Sequence, residues 1–373
     1  MAHLMARRKN VYRFCPRCWM IAHSCSCINI LDGIYPFVAE SNSILDLEEL
    51  ESVPDNNDGE EVQPGTDLDL VAPLCEKSHQ HDEFIPVNDF FYSYLPEALR
   101  HPSFYVWLWN CIPLVVRILG QRRATGRVFL ISEELLKEEI CSDVTCPYRE
   151  QLGPRHEMYG GIGIITNKHV VQNDEDAKKT TVEFFYNNDD DRRWTVHKEK
   201  GFQLHTTNHK MDYTMFTCYT HKKDLLTMIA TFDKIRNYAW TKVPPQIRLV
   251  SKNYAIIISH PHGTSKKVSI GTVVDRQNRV KSEEEMENVR ILRNIYNICD
   301  ENNALARFGG YMRQLPDLDL SFTITRYTTA TCKGSSGAPV FMGNVVMENG
   351  VEINQAHTHR GVDKNVGYNN CFT

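Results

Sequence analysis

Three residue types in this chain could together move a proton and form an ester. The first sits in Cys332-Lys333-Gly334-Ser335-Ser336-Gly337-Ala338-Pro339-Val340. Glycines around a serine permit the tight turn that exposes a hydroxyl, and they let backbone N–H groups converge on one point. By itself Gly-Ser-Ser-Gly is equally a flexible turn, but the Ala-Pro-Val-Phe that follows leads it into an apolar strand. The second is His169, delivered by Gly160-Gly161-Ile162-Gly163-Ile164-Ile165-Thr166-Asn167-Lys168 and followed by Val170-Val171. Alone, such a histidine reads as a core or capping residue. The third is an acid heading an apolar strand, in Met211-Asp212-Tyr213-Thr214-Met215-Phe216. Asp224, in a polar loop, and the run Asp189–Asp191, a solvated hairpin turn, compete for that role.

Taken in the order histidine, aspartate, serine, these segments resemble the trypsin-like peptidase family. In that family a strand ending in Thr-x-x-His-Val carries the catalytic histidine. A fourth segment, Ile258-Ser259-His260-Pro261-His262-Gly263 followed by Val268-Ser269-Ile270-Gly271, resembles the entry to the second barrel of bacterial high-temperature-requirement proteases. His260 and His262 read as a turn around Pro-His-Gly rather than as a metal pair. The resemblance spans roughly residues 115–373. It implies an all-β, chymotrypsin-like double β-barrel and a serine endopeptidase with His169, Asp212 and Ser336 as its triad. It further implies an oxyanion hole from the N–H groups of Gly334 and Ser336, protein or peptide substrates, and no cofactor for catalysis.

Departures from the family are informative. Ser335 stands where the digestive enzymes carry the aspartate that receives a newly cut N-terminus, and no activation site is visible. Ala330 stands where proteases cutting after Lys or Arg carry an acid. Glutamyl endopeptidases and picornaviral main proteases pair a threonine five residues before the nucleophile with a histidine on a later strand. Thr331 and His357 match that pair and imply cleavage after Glu or Gln; His359 fits after a register slip, and an ordinary edge-strand histidine is the competing reading. The rival function is a silent protease-fold scaffold, which would have no chemical reason to keep all three triad residues.

The elements that must position these residues follow from pattern. Short apolar runs (VVRIL, RVFLI, GIGIIT, TVEFFY, YTMFTCY, IRLV, YAIIIS, KVSIGTVV, LSFTITRY, APVFM) read as strands of a barrel. Residues at about 280–306 show helical spacing and read as an insertion within a protease domain spanning 86–373. In front lie a Cys-rich basic arm, 1–35, and an acidic stretch, 36–85, read as a largely disordered linker remote from catalysis. Residues 1–30 hold five Lys/Arg and no acid, and residues 40–70 hold eleven Asp/Glu and no Lys or Arg. In the arm, Cys15-Pro16-Arg17-Cys18 with Cys25 and Cys27 has zinc-ligand character, against unligated thiols. Cys218 and Cys332 read as buried thiols.

The net charge of −5 argues against non-specific nucleic-acid binding. The longest apolar run, Tyr105–Leu119, is broken by Asn110 and Pro113 and is too short to span a membrane. With no secretory signal visible, the expectation is an intracellular, cytoplasmic protein with reduced thiols.

Overall fold

The computed structural model describes residues 57–60, 62, 75–129, 139–141, 146, 149–158, 160–188, 196–209, 211–280, 321–348, 351–363 and 367–372. The Cys-rich arm, including Cys15, Cys18, Cys25 and Cys27, and the expected insertion at about 280–306 lie outside these residues.

The strands, in chain order, begin with two short ones, β1 (Asn57–Gly59) and β2 (Ile85–Pro86). Next come β3 (Val115–Leu119), β4 (Arg123–Phe129), β5 (Glu139–Cys141), β6 (His156–Met158) and β7 (Gly160–Thr166). They are followed by β8 (Thr181–Phe184), β9 (His197–Asn208) and β10 (Tyr213–Thr220). The last six are β11 (Tyr254–Ser259), β12 (Lys267–Val280), β13 (Ser321–Tyr327), β14 (Pro339–Glu348), β15 (Val351–Asp363) and β16 (Asn369–Phe372).

Strands β3, β4, β7, β10, β9 and β8 close into one antiparallel barrel. Strands β11, β12, β13, β16, β15 and β14 close into a second. This is the chymotrypsin-like double barrel. Ile118, Ile162, Ile164, Val182, Phe184 and Phe216 fill the first, and Ala255, Ile257, Val340 and Met342 line the core of the second.

Helices cover the outside of the second barrel. Pro102–Cys111 and Lys223–Thr241 bring Trp107 and Trp240 to 4.7 Å between ring centroids. This packing explains why β11 reads Tyr-Ala-Ile-Ile-Ile without alternation: Ala255 and Ile257 face the barrel, while Ile256 and Ile258 face the helices, and both sides are dry. Ile247–Val250, read from sequence as a strand, belongs to the helix Pro245–Ser251. Pro245 at a first helical position has its ring angle preset for a helix, and a four-residue apolar run carries no periodicity of its own. Asp224 lies in the first turn of Lys223–Thr241, not in a loop. These two helices lie in the interval between Asp212 and Ser336.

Parts of the stretch read as a disordered linker are built into the double-barrel fold. Strand β1 pairs with β15, Val62 bridges to Arg123, and a short helical turn runs from Ser78 to Glu83. Acidic composition lowers the drive to collapse, but it does not prevent a segment from adding to an existing sheet edge, where the backbone supplies the bonds.

Candidate active site

The turn carrying Ser335 and Ser336 is held by its backbone. Gly334 (φ +96°) and Gly337 (φ +83°) occupy the left-handed region on either side of Ser335 and Ser336, where a Cβ would be strained. Thr125, on β4 of the first barrel, ties the turn down. Its N–H donates to the Ser336 carbonyl at 2.9 Å and its hydroxyl to the Gly334 carbonyl at 2.7 Å. The site therefore lies between the barrels, with each barrel supplying part of it.

His169 follows β7, and Asp212 sits in the turn before β10, which pairs with β7. That ladder brings the two together. The His169 backbone N–H donates to Asp212 Oδ1 at 3.0 Å, and ring Nδ1–H to Oδ2 at 2.6 Å. With Nδ1 protonated, Nε2 is the acceptor, and it lies 2.9 Å from Ser336 Oγ. Asn167 Nδ2 donates to the Asp212 carbonyl at 2.8 Å, fixing a residue whose φ is +47°. Arg360 Nε lies 3.8 Å from Asp212 Oδ2, a further positive charge beside the carboxylate.

Ser336 is fully buried, and Glu60 helps to cover it. The Glu60 N–H donates to Ser336 Oγ at 2.7 Å. Its carbonyl oxygen accepts from the N–H of Gly334 and, at 3.3 Å, from that of Ser336. These are the two donors expected to form an oxyanion hole, and they converge on a peptide carbonyl.

The Glu60 side chain enters a pocket. Its carboxylate meets His359 Nε2 at 2.9 Å and pairs with Lys77. Lys77 Nζ also reaches Thr331 Oγ1 and Asn369 Oδ1, each at 3.3 Å. Burial pushes the Glu60 carboxyl up, but the bonds and charges of His359 and Lys77 outweigh it and hold the pKa at about 2. Burial pulls the His359 imidazole below its usual range, against the opposing pull of Glu60. A neutral ring that donates from Nε2 must accept at Nδ1, where the Tyr327 hydroxyl lies 2.7 Å away.

The sequence reading matched His357 to such a pocket and left His359 as the alternative after a register slip; it is His359 whose ring contacts the Glu60 carboxylate. Both point to the same face of β15, being two residues apart. The deciding contacts are backbone bonds from Gly337 N–H to the His359 carbonyl at 3.0 Å and from His359 N–H to the Ala338 carbonyl at 2.9 Å. They dock His359 directly beside the Ser335–Ser336 turn, whereas His357 lies opposite Val340, further along the ladder. Glu60, Lys77, Tyr327 and Asn369 were not anticipated at all. Only the expectation of a Glu- or Gln-binding pocket, set against a glutamate-rich segment, could have pointed to the first.

A second cluster adjoins the first. Cys75, His81, His262 and Cys332 bring their four ligand atoms within 4.8 Å of one another. His262, read as a turn residue, does lie in the turn Pro261–Gly263, yet its ring faces His81. Cys332 is buried as expected, but it faces Cys75 rather than an inert core. Cys146, His156 and His221 form a separate trio.

No protein-family model matches the chain, and no curated protein matches it in sequence. Solved structures are similar at low identity. The inactive form of the Rv3671c protease is 11% identical, with a TM-score of 0.33, over 72% of this chain and 86% of the other. The active form of the same protease, from M. tuberculosis, gives 11% identity and a TM-score of 0.34, over 72% and 78%. The HtrA-type protease AlgW, solved with a tripeptide, gives 11% and 0.33, over 71% and 57%. Among the described residues no helix is long and apolar enough to cross a membrane.

Proposed function

We propose that the protein is a serine endopeptidase that cleaves after glutamate. One observation carries the reading: Ser336 Oγ lies 2.9 Å from a histidine whose other nitrogen is 2.6 Å from a buried carboxylate. In this mechanism His169 Nε2 takes the Ser336 proton as Oγ attacks a peptide carbonyl, and returns it to the leaving amine. Asp212 keeps Nδ1 protonated and stabilises the imidazolium. The N–H groups of Gly334 and Ser336 hold the oxygen as it becomes an anion.

The preference for glutamate rests on the pocket of His359, Lys77 and Thr331. A cation and a neutral imidazole donor together suit a carboxylate better than an amide. Gln, lacking the charge, forgoes the ion pair with Lys77. The decisive experiment is labelling with a fluorophosphonate probe, with wild type beside Ser336→Ala and Ser335→Ala. Labelling is expected in wild type and Ser335→Ala only; equal labelling of wild type and Ser336→Ala would end the claim.

A further inference from the structure

We propose that the peptide bond between Glu60 and Glu61 is a substrate of this same active site, so that the chain processes itself there. The proposal rests on the peptidase reading above but adds the substrate. Asn57, Asp58 and Gly59 pair antiparallel with Asp363, Val362 and Gly361 of β15. Val62 then exchanges two backbone hydrogen bonds with Arg123 of the first barrel, at 2.8 and 2.9 Å. Between these anchors the Glu60 carbonyl sits on the N–H groups of Gly334 and Ser336, and its carboxylate sits on His359 and Lys77. Together these contacts seat the segment as a substrate would sit: paired along a strand, its carbonyl on two N–H donors and its side chain in the pocket. The segment is held on both sides of one peptide bond, and that bond follows the residue type the pocket selects.

Chemically, Ser336 Oγ attacks the Glu60 carbonyl carbon and passes its proton through His169 to the Glu61 nitrogen as the C–N bond breaks. Water then attacks the ester, gives a proton through His169 back to Oγ, and leaves Glu60 with a new carboxylate. The test is intact mass and N-terminal sequencing of the full chain expressed as wild type, Ser336→Ala and Glu60→Ala. Wild type should yield a fragment beginning at Glu61, and both variants should stay uncut at that bond. A wild-type chain that stays intact overturns self-processing. If that intact chain still cleaves a separate glutamyl peptide, the peptidase reading survives alone; if it does not, both fall.

A different observation carries a second inference: we infer that Cys75, His81, His262 and Cys332 form a structural zinc site. Zinc bonds of about 2.3 Å to sulfur and about 2.0–2.1 Å to nitrogen give tetrahedral edges of roughly 3.8 Å between sulfurs, 3.6 Å between S and N, and 3.3 Å between nitrogens. The corresponding distances are 3.5 Å for Cys75 Sγ to Cys332 Sγ, 3.4 Å for Cys332 Sγ to His81 Nε2, and 3.2 Å for His81 Nε2 to His262 Nε2. These three edges match zinc spacing, and all four ligand atoms of the two thiols and two imidazoles lie within 4.8 Å of one another. The ligands come from three separate places: the segment around Ser78–Glu83, the turn Pro261–Gly263 and the irregular stretch between β13 and the Ser335–Ser336 turn.

A metal there would pin the segment carrying Lys77 to the residue beside Thr331. The test is zinc content of the full-length Ser336→Ala protein with and without His81→Ala, and with His81→Cys, which keeps a ligand. One equivalent of zinc per chain should be lost in His81→Ala and retained in His81→Cys. Equal zinc in the His81→Ala and parent proteins, or a loss that His81→Cys does not restore, overturns the site.

Discussion

Glu60 carries its charge into a pocket where Lys77 and the Nε2–H of His359 meet its two oxygens. Removing the imidazole leaves a desolvated carboxylate short of a donor. His359→Ala is expected to lower kcat/KM on a glutamyl peptide by about 10- to 100-fold, the size of a lost hydrogen bond to a charged group. His357→Ala should change it little, because its ring is not on the carboxylate. Tyr327→Phe tests the tautomer argument. It removes the hydroxyl at Nδ1, and a loss of roughly 2- to 10-fold is expected, the range for a neutral hydrogen bond. Peptide kinetics on the three variants separate these cases, and a larger loss in His357→Ala than in His359→Ala would reverse the pocket assignment.

Between elements, Thr125 and Lys266 each join distant segments. Thr125 joins β4 to the Ser335–Ser336 turn, and its hydroxyl also accepts from the His260 N–H at 2.9 Å. Thr125→Val keeps the shape and strands both partners, so a stability loss of about 1–3 kcal/mol is expected by denaturant titration, with slower probe labelling at Ser336. Lys266 is fully buried just before β12, donating to the Ile112 carbonyl at 3.0 Å. Burial lowers its pKa from 10.5 to about 7. Below about 7 both folded and unfolded chains hold the proton, and the cost of the buried charge is fully present. Between about 7 and 10.5 only the unfolded chain holds it, so stability rises with pH across that window. Relative to Lys266→Met, the wild type should therefore be least stable at neutral and lower pH and should close the gap toward pH 10. Urea midpoints of both proteins across pH 6–10 measure this directly, and a constant gap would show that Lys266 keeps an ordinary pKa.

At the scale of the molecule, the segment that crosses the cleft is separable from the barrels it crosses. Strand β1 adds to an edge of β15 that the second barrel does not need for closure, since β14 and β16 already pair with β15. A chain lacking residues 1–70 keeps Cys75, Lys77, His81 and both barrels. It is expected to unfold cooperatively and to cleave a glutamyl peptide without competition from Glu60. Calorimetry and peptide kinetics on the truncated protein check both points. Loss of a cooperative transition would show that β1 belongs to the core.

Local pattern made much of this legible. The apolar runs that became β3, β7, β10, β11 and β14 announce themselves because a barrel strand must bury at least one face. The Gly-Ser-Ser-Gly turn, His169 and Asp212 stand out because their neighbours are glycines or strand ends, which sequence displays directly. Those three side chains do meet in the fold. What sequence could not decide depended on contacts between distant segments. Ile247–Val250 became helix because its partners are other elements and not its own periodicity. His359 displaced His357 because backbone bonds to Gly337 and Ala338 set the register of β15, and a two-residue step on one face leaves no trace in composition. Cys75 and His81 lie some 180 or more residues from their partners His262 and Cys332, and that separation hides the quartet. Glu60 came from a stretch with no periodicity at all; only the folded cleft, by supplying a sheet edge, two N–H donors and a basic pocket at once, gave it a place.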